Sequence, residues 1–233
     1  LRSALQLGYT HFDTAEVYSA GHSEELVGQA VRELDIAREA LFITTKVSPG
    51  HLDYDDVLNS CQNSLRRLGM DYVDLYLIHW PRVGMKLEDT FRALNKLVRD
   101  GKVRHLGVSN FNLKLLKQSH QLSETHLLTD QVSYSLPDRE YEHNGVLEYC
   151  QANDILLTAY SPVKRRNIKS NKVLAAIARE RAATPQQIAL AWLAAQPRVI
   201  AIPMSFNPAH QAENLAAADI HLSAAEMAQL SQA

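Results

Sequence analysis

The sequence predicts an α/β fold, a (β/α)8 TIM barrel, on three observations. Strand-like and helix-like stretches alternate along the chain with short punctuation and no low-complexity linker, which calls for a parallel sheet. No GxGxxG follows a strand-like stretch, so the phosphate-binding turn of an open dinucleotide-binding sheet is missing. Asp13, Lys46, His79, Asn110, Gln131 and Tyr160 stand at or near the C-terminal ends of different strands. A barrel collects its functional residues round a rim in this way, whereas an open sheet gathers them at one crevice.

The strand-like stretches are THFDT (10–14), LFITTKV (41–47), YVDLYLIHW (72–80), VRHLGVSN (103–110), LTDQVSYS (128–135), ILLTAYS (155–161) and VIAIP (199–203). Several are apolar on successive positions, as strands covered on both faces should be. Between them, SEELVGQAVREL, DVLNSCQNSLRRLG, LEDTFRALNKLVRDG and NLKLLKQSHQL repeat apolar residues at helical spacing. Gly69 and Gly101 fall where a helix end favours a left-handed residue. Thr184 with Gln187, and Ser223 with Glu226, have the spacing of capping boxes. A barrel closes with eight strands, and seven stretches are present. The expectation is one barrel domain over residues 1–233, its first strand lying before Leu1 and its C-terminal end short.

Bulk composition narrows the function classes. The 233 residues are 46% hydrophobic and carry a formal net charge of −2, enough apolar material for a substantial core. The basic residues are dispersed, which argues against nucleic acid as a partner; the short KRR run at Lys164–Arg166 reads as a solvated loop. No apolar run approaches the ~20 residues of a membrane helix. LRSALQLG at the start is amphipathic and has no apolar leader core. Cys61 and Cys150 are too few for a disulfide framework or a cysteine-built zinc site. A cytoplasmic setting is expected, with neither membrane nor metal.

The chemistry gathers at four positions. Lys46, ending FITTK, would carry an unpaired charge into the rim unless Asp13 on the preceding strand end pairs with it. A lysine beside the Tyr18 phenol favours its deprotonated form, which prepares the tyrosine to deliver a proton near neutral pH. His79, after the apolar run DLYLI, can orient a substrate oxygen or relay that proton. Together these residues suit protonation of a carbonyl oxygen while hydride reaches its carbon. Taken singly, Asp13 also reads as a turn cap, and His79 as a hydrogen-bonded structural residue.

GYTHFDTAEVY, ITTKV, LIHWP, GVSNF, AYSP and IPMSFNPAHQAEN follow one another in the order and spacing of the aldo-keto reductase superfamily. Over nearly its whole length the sequence resembles that family. The resemblance implies a (β/α)8 barrel that reduces aldehydes and ketones with NADPH, using Asp13, Tyr18, Lys46 and His79, with Tyr18 as general acid. It implies nicotinamide contacts at Ser109, Asn110 and Gln131, and a stacking aromatic at Tyr160. Ser161 and Ser205 correspond to phosphate contacts, Glu213 and Asn214 to the adenine end, and Trp80 to the substrate side. The expected partner is a small aldehyde, ketone or keto-sugar, and the expected state is a monomer. The other class carried by the same fold is a cofactor-holding, channel-associated regulatory subunit with little turnover.

The sequence departs from the family pattern in places. Thr10 stands where many members have arginine, Met204 replaces the lysine of IPKS, and His210 stands near an expected arginine. NADP(H) is the favoured cofactor, with NAD(H) the other candidate because those two cations are gone. A metal-dependent barrel hydrolase fits poorly, since no HxH follows a strand.

Overall fold

The computed structural model describes residues 1–163, 168 and 171–232; the KRR run at Lys164–Arg166 lies outside them. Two compact units make up the chain, Leu1–Asp130 and Gln131–Ala233.

The first unit carries β1 (His11–Asp13), β2 (Phe42–Val47), β3 (Val73–Ile78) and β4 (Val103–Ser109), and β5 (Leu127–Ser133) runs across its end. The strands are ordered in the sheet as they are in the chain. β1 pairs with β2, β2 with β3 and β3 with β4, all in parallel. Every residue of β3 is buried, which accounts for the unbroken apolar run seen in its sequence. In register, Asp13 faces Thr44 and Lys46 faces Leu77, so each strand delivers its polar residue at or near its last position.

Helices α1 (Arg2–Gln6), α2 (His22–Glu33), α3 (Tyr54–Leu68), α4 (Leu87–Arg99) and α5 (Leu113–Leu122) belong to this unit. Gly69 closes α3 in the left-handed conformation, at φ 66°. Gly28 of α2 sits so close to the end of α3 that a Cβ there would lie 2.0 Å from the Leu68 carbonyl oxygen. Glu24, fully buried on α2, accepts from Arg67 of α3 at 2.6 Å and from the Thr45 hydroxyl of β2 at 2.5 Å. That ion pair locks two helices onto the strand that carries Lys46.

The second unit holds β6 (Leu156–Tyr160) and β7 (Val199–Ala201), paired in parallel. Its core includes Val132, Tyr134, Leu157, Ile188, Trp192 and Leu193. Both expected capping boxes form, at Thr184–Gln187 and Ser223–Glu226. Among the described residues, the helices Glu140–His143, Val146–Ala152 and Lys172–Glu180 were not anticipated. Lys172–Glu180 had a local signal, because the Asn171 side chain caps it by accepting from the Leu174 amide.

All seven expected strands are present, several shorter than the apolar stretches suggested. β1 is three residues instead of five, β3 stops at Ile78 and β7 at Ala201. Pro81 and Pro203 follow the last two closely; proline lacks the N–H a ladder needs and restricts the residue before it. His79 and Trp80 therefore lie just beyond β3, in the loop, where they can face a ligand.

Candidate active site

Four side chains of the first unit converge at the ends of β1, β2 and β3. Lys46 has no exposed side-chain surface; its ammonium is ion-paired with the Asp13 carboxylate and donates to the Thr14 carbonyl at 2.8 Å. A buried ammonium is stable only when so satisfied, and removing one member of such a pair typically costs ~3–5 kcal/mol. The same ammonium lies 5.1 Å from the centroid of the Tyr18 ring.

Tyr18 is 39% exposed, so its hydroxyl can be reached from solvent. It stands 3.5 Å from Nε2 of His79, at the outer edge of hydrogen-bond range, and the two rings meet edge to face at 5.5 Å. Catalytic hydrogen bonds are often this long before substrate binds. The backbone turns sharply after the tyrosine. Ser19, Ala20 and Gly21 have φ of 50°, 53° and 90°. Left-handed geometry costs a non-glycine residue ~1–2 kcal/mol, and such strain concentrates at ligand sites.

His79 titrates at about 4, well below its ordinary 6.5. Burial is the main cause and the Lys46 ammonium adds to it, against the opposing charges of Asp13 and Glu16. The ring is therefore neutral near pH 7, able to donate from one nitrogen and accept at the other. Its Nδ1 is buried with no hydrogen-bond partner, and its backbone N–H is anchored on the Val47 carbonyl at 3.0 Å. Asn110, at φ 62°, donates from its amide to the His79 carbonyl at 3.1 Å and to the Ser109 hydroxyl at 2.9 Å. Ser109 and Asn110 are thus tied to the loop that carries His79. Trp80, next along it, is 47% exposed.

The remaining sequence candidates lie in the second unit. Gln131 is buried in β5, and Tyr160 closes β6 half-buried, followed by Ser161 at φ 51°. Ser205 accepts from the Asn207 amide at 3.1 Å, and Gln211 donates to the Ser205 carbonyl at 2.8 Å. Asn207 caps the helix Pro208–Ala216 by accepting from Ala209. Glu213 and Asn214 sit half-buried on that helix, and Met204 is 74% exposed. Among the described residues no group of three or more His, Cys, Asp or Glu could hold a metal, and no helix is long and apolar enough to cross a membrane.

Two residues at or beside the site escaped the sequence reading. Glu16, inside the AEVY stretch, holds Ser48 and His51; its place two residues before Tyr18 was the available signal. Asp130, beside Gln131, is completely buried, and one of its carboxylate oxygens has no partner. Nothing local in TDQV announces that.

A barrel-type parallel sheet whose strand ends converge on a carboxylate, a lysine, a phenol and a neutral imidazole defines an oxidoreductase-like site. The chain belongs to the aldo/keto reductase family, whose model matches residues 1–233, and its fold is that family's (β/α)8 barrel, to which the described residues contribute seven strands. It is 37% identical over 239 residues to the Escherichia coli (strain K12) methylglyoxal reductase YeaE, covering 100% of this chain and 82% of that protein. The thermostable aldo-keto reductase Tm1743, solved with the inhibitor epalrestat, superposes with a TM-score of 0.95 at 47% identity, over 99% of this chain and 84% of that one. An aldo/keto reductase from Klebsiella pneumoniae, solved with NADP and acetate, superposes with a TM-score of 0.89 at 37% identity, over 100% and 82%.

Proposed function

We propose that this protein is an NADPH-dependent carbonyl reductase that converts small aldehydes and ketones, reactive dicarbonyls such as methylglyoxal among them, to alcohols. The observation that carries the reading is the Tyr18 hydroxyl, open to solvent, 3.5 Å from a neutral His79 and with its ring beside the buried Lys46–Asp13 pair. The likeness to a methylglyoxal reductase and to an NADP-bound relative supports it.

The residues present fit a nicotinamide dinucleotide. Ser109, Asn110 and Gln131 offer the mixed donors and acceptors that a carboxamide requires, and Tyr160 offers a flat aromatic face. Ser161 and Ser205 supply hydroxyls for phosphate, with Glu213 and Asn214 toward the adenine. The 2′-phosphate of NADP meets a weaker set, since the exposed Met204 is uncharged. NADPH is preferred over NADH by a narrow margin on this reading.

When bound, the cofactor supplies hydride to the carbonyl carbon. Tyr18 donates its proton to the carbonyl oxygen, the atom on which negative charge develops. His79, neutral, donates a hydrogen bond that orients that oxygen. Lys46 places positive charge beside the tyrosine ring, and Asp13 keeps the ammonium in place. Trp80 contributes apolar surface on the substrate side.

Loss of NADPH absorbance in the full-length protein, followed with methylglyoxal, simple ketones and aldoses, tests the reading. Tyr18→Phe keeps the ring and removes the proton donor, so turnover should fall ~10²- to 10⁴-fold while cofactor affinity holds. Parent-rate turnover by this variant, or no oxidation with any carbonyl, would sink it.

A further inference from the structure

We infer that Glu16 is a positioning residue for Tyr18, tying the segment that leads into the tyrosine to the loop that follows Lys46. The inference rests on the reductase reading above. Three links run from residue 16 to the end of β2. The Glu16 backbone N–H donates to the Lys46 carbonyl at 3.4 Å. One carboxylate oxygen accepts from the Ser48 backbone N–H at 2.6 Å and meets His51 Nδ1 at 3.0 Å. A carboxylate needs a donor at that point, so Nδ1 carries the proton. The Ser48 and Ser60 hydroxyl oxygens also lie 3.2 Å from that nitrogen, where they can only share its one proton.

The Glu16 side chain is only 8% exposed, and a carboxylate in that setting must be well satisfied to stay ionised. Burial pushes its carboxyl upward, but the hydrogen bonds from Ser48 and His51 outweigh burial and hold it below the ordinary range. Hydrogen bonds to an ionised acceptor are roughly twice as strong as neutral ones. The clamp therefore adds charge-assisted contacts to the loop after β2, beyond those that Asp13 and Thr14 make to Lys46 itself.

Tyr18 depends on such a clamp more than its neighbours do. Lys46 is enclosed and doubly held, by Asp13 and by Thr14. The tyrosine is part-exposed, its hydroxyl reaches His79 only at 3.5 Å, and the residues after it are in strained left-handed geometry. Its place relative to Lys46 is decided by the chain that enters it. A misplacement of ~1 Å in a reacting group can cost ~10²-fold in rate.

The experiment compares Glu16→Ala, Glu16→Asp and Glu16→Gln with Tyr18→Phe, by kcat and KM for methylglyoxal, NADPH dissociation constant from protein fluorescence, and urea midpoint. Glu16→Ala removes the acceptor and Glu16→Asp retracts it. Both should lose roughly 10- to 10²-fold in kcat with KM and NADPH affinity nearly unchanged. Glu16→Gln keeps an acceptor oxygen at the original reach, so it should recover most of the lost turnover. Parent kcat in the Ala and Asp variants overturns the inference, and so does a loss that merely tracks the urea midpoint or that Gln does not relieve. Should Tyr18→Phe itself turn over at the parent rate, the reductase reading has failed, and the Glu16 variants are not what decided it.

Discussion

His79 offers a sharp test because its protonation is coupled to folding. Its ring titrates at about 4 in the fold against the ordinary 6.5, through burial first and the Lys46 ammonium second. At ~1.4 kcal/mol per pH unit, that gap amounts to ~3 kcal/mol of preference for the neutral ring. The ring is partly open to solvent, and screening cuts the expected contribution to ~1–2 kcal/mol. The direction follows from proton binding. Between about pH 6.5 and 4 the unfolded chain takes up a proton at this position and the folded chain does not, so stability falls as pH drops through that window. Above the window both states are neutral and the effect vanishes. His79→Gln keeps the size and hydrogen-bonding character of the side chain without titrating, so its stability should fall less on acidification. Urea unfolding of parent and variant at a series of pH values from about 8 down to 4.5 measures this. Relative to the parent, the variant should gain ~1–2 kcal/mol across the range, about half a molar in midpoint for a slope of ~3 kcal/mol/M. Parallel stability curves for the two proteins would refute the account of a neutral, partly buried imidazole.

Asp130 should act in the opposite sense. Burial pushes its carboxyl well above the ordinary range, against a long hydrogen bond from the Phe111 amide, and its second oxygen has no partner. The stability it contributes is present below the unfolded value near 3.9 and is lost as pH rises through the folded one. Asp130→Asn keeps the shape and the acceptor for Phe111, so its melting temperature should rise at alkaline pH by ~2–4 °C per kcal/mol relieved, with the gain shrinking in acid; equal shifts at both ends would show that the carboxyl is not strained. Met204→Lys adds a point charge at an exposed position beside Ser205 and should tighten NADPH binding about tenfold while leaving NADH unchanged. Equal effects on both cofactors in fluorescence titrations would show that this position does not face the 2′-phosphate.

Much of the fold was legible in order along the chain. The apolar run of β3 announced a strand covered on both faces, and Thr184 with Gln187 and Ser223 with Glu226 announced helix starts, because these signals are local to a few residues. The motifs around Asp13, Tyr18, Lys46 and His79 marked the site for a similar reason: a parallel sheet brings consecutive strand ends together, so chain order translates into proximity. Chain order could not give the environment each group acquires. That Lys46 is fully enclosed, that His79 is driven neutral, that Glu16 reaches across to Ser48 and His51, and that Asp130 keeps an oxygen without a partner are matters of what surrounds each atom. Those surroundings come from residues tens of positions away, such as the Arg67 that holds Glu24 against Thr45 beside Lys46. Desolvation and charge act over ångströms in space. Residue types and their order determined which groups gather at the strand ends, and only tertiary packing decided their protonation and their hold on one another.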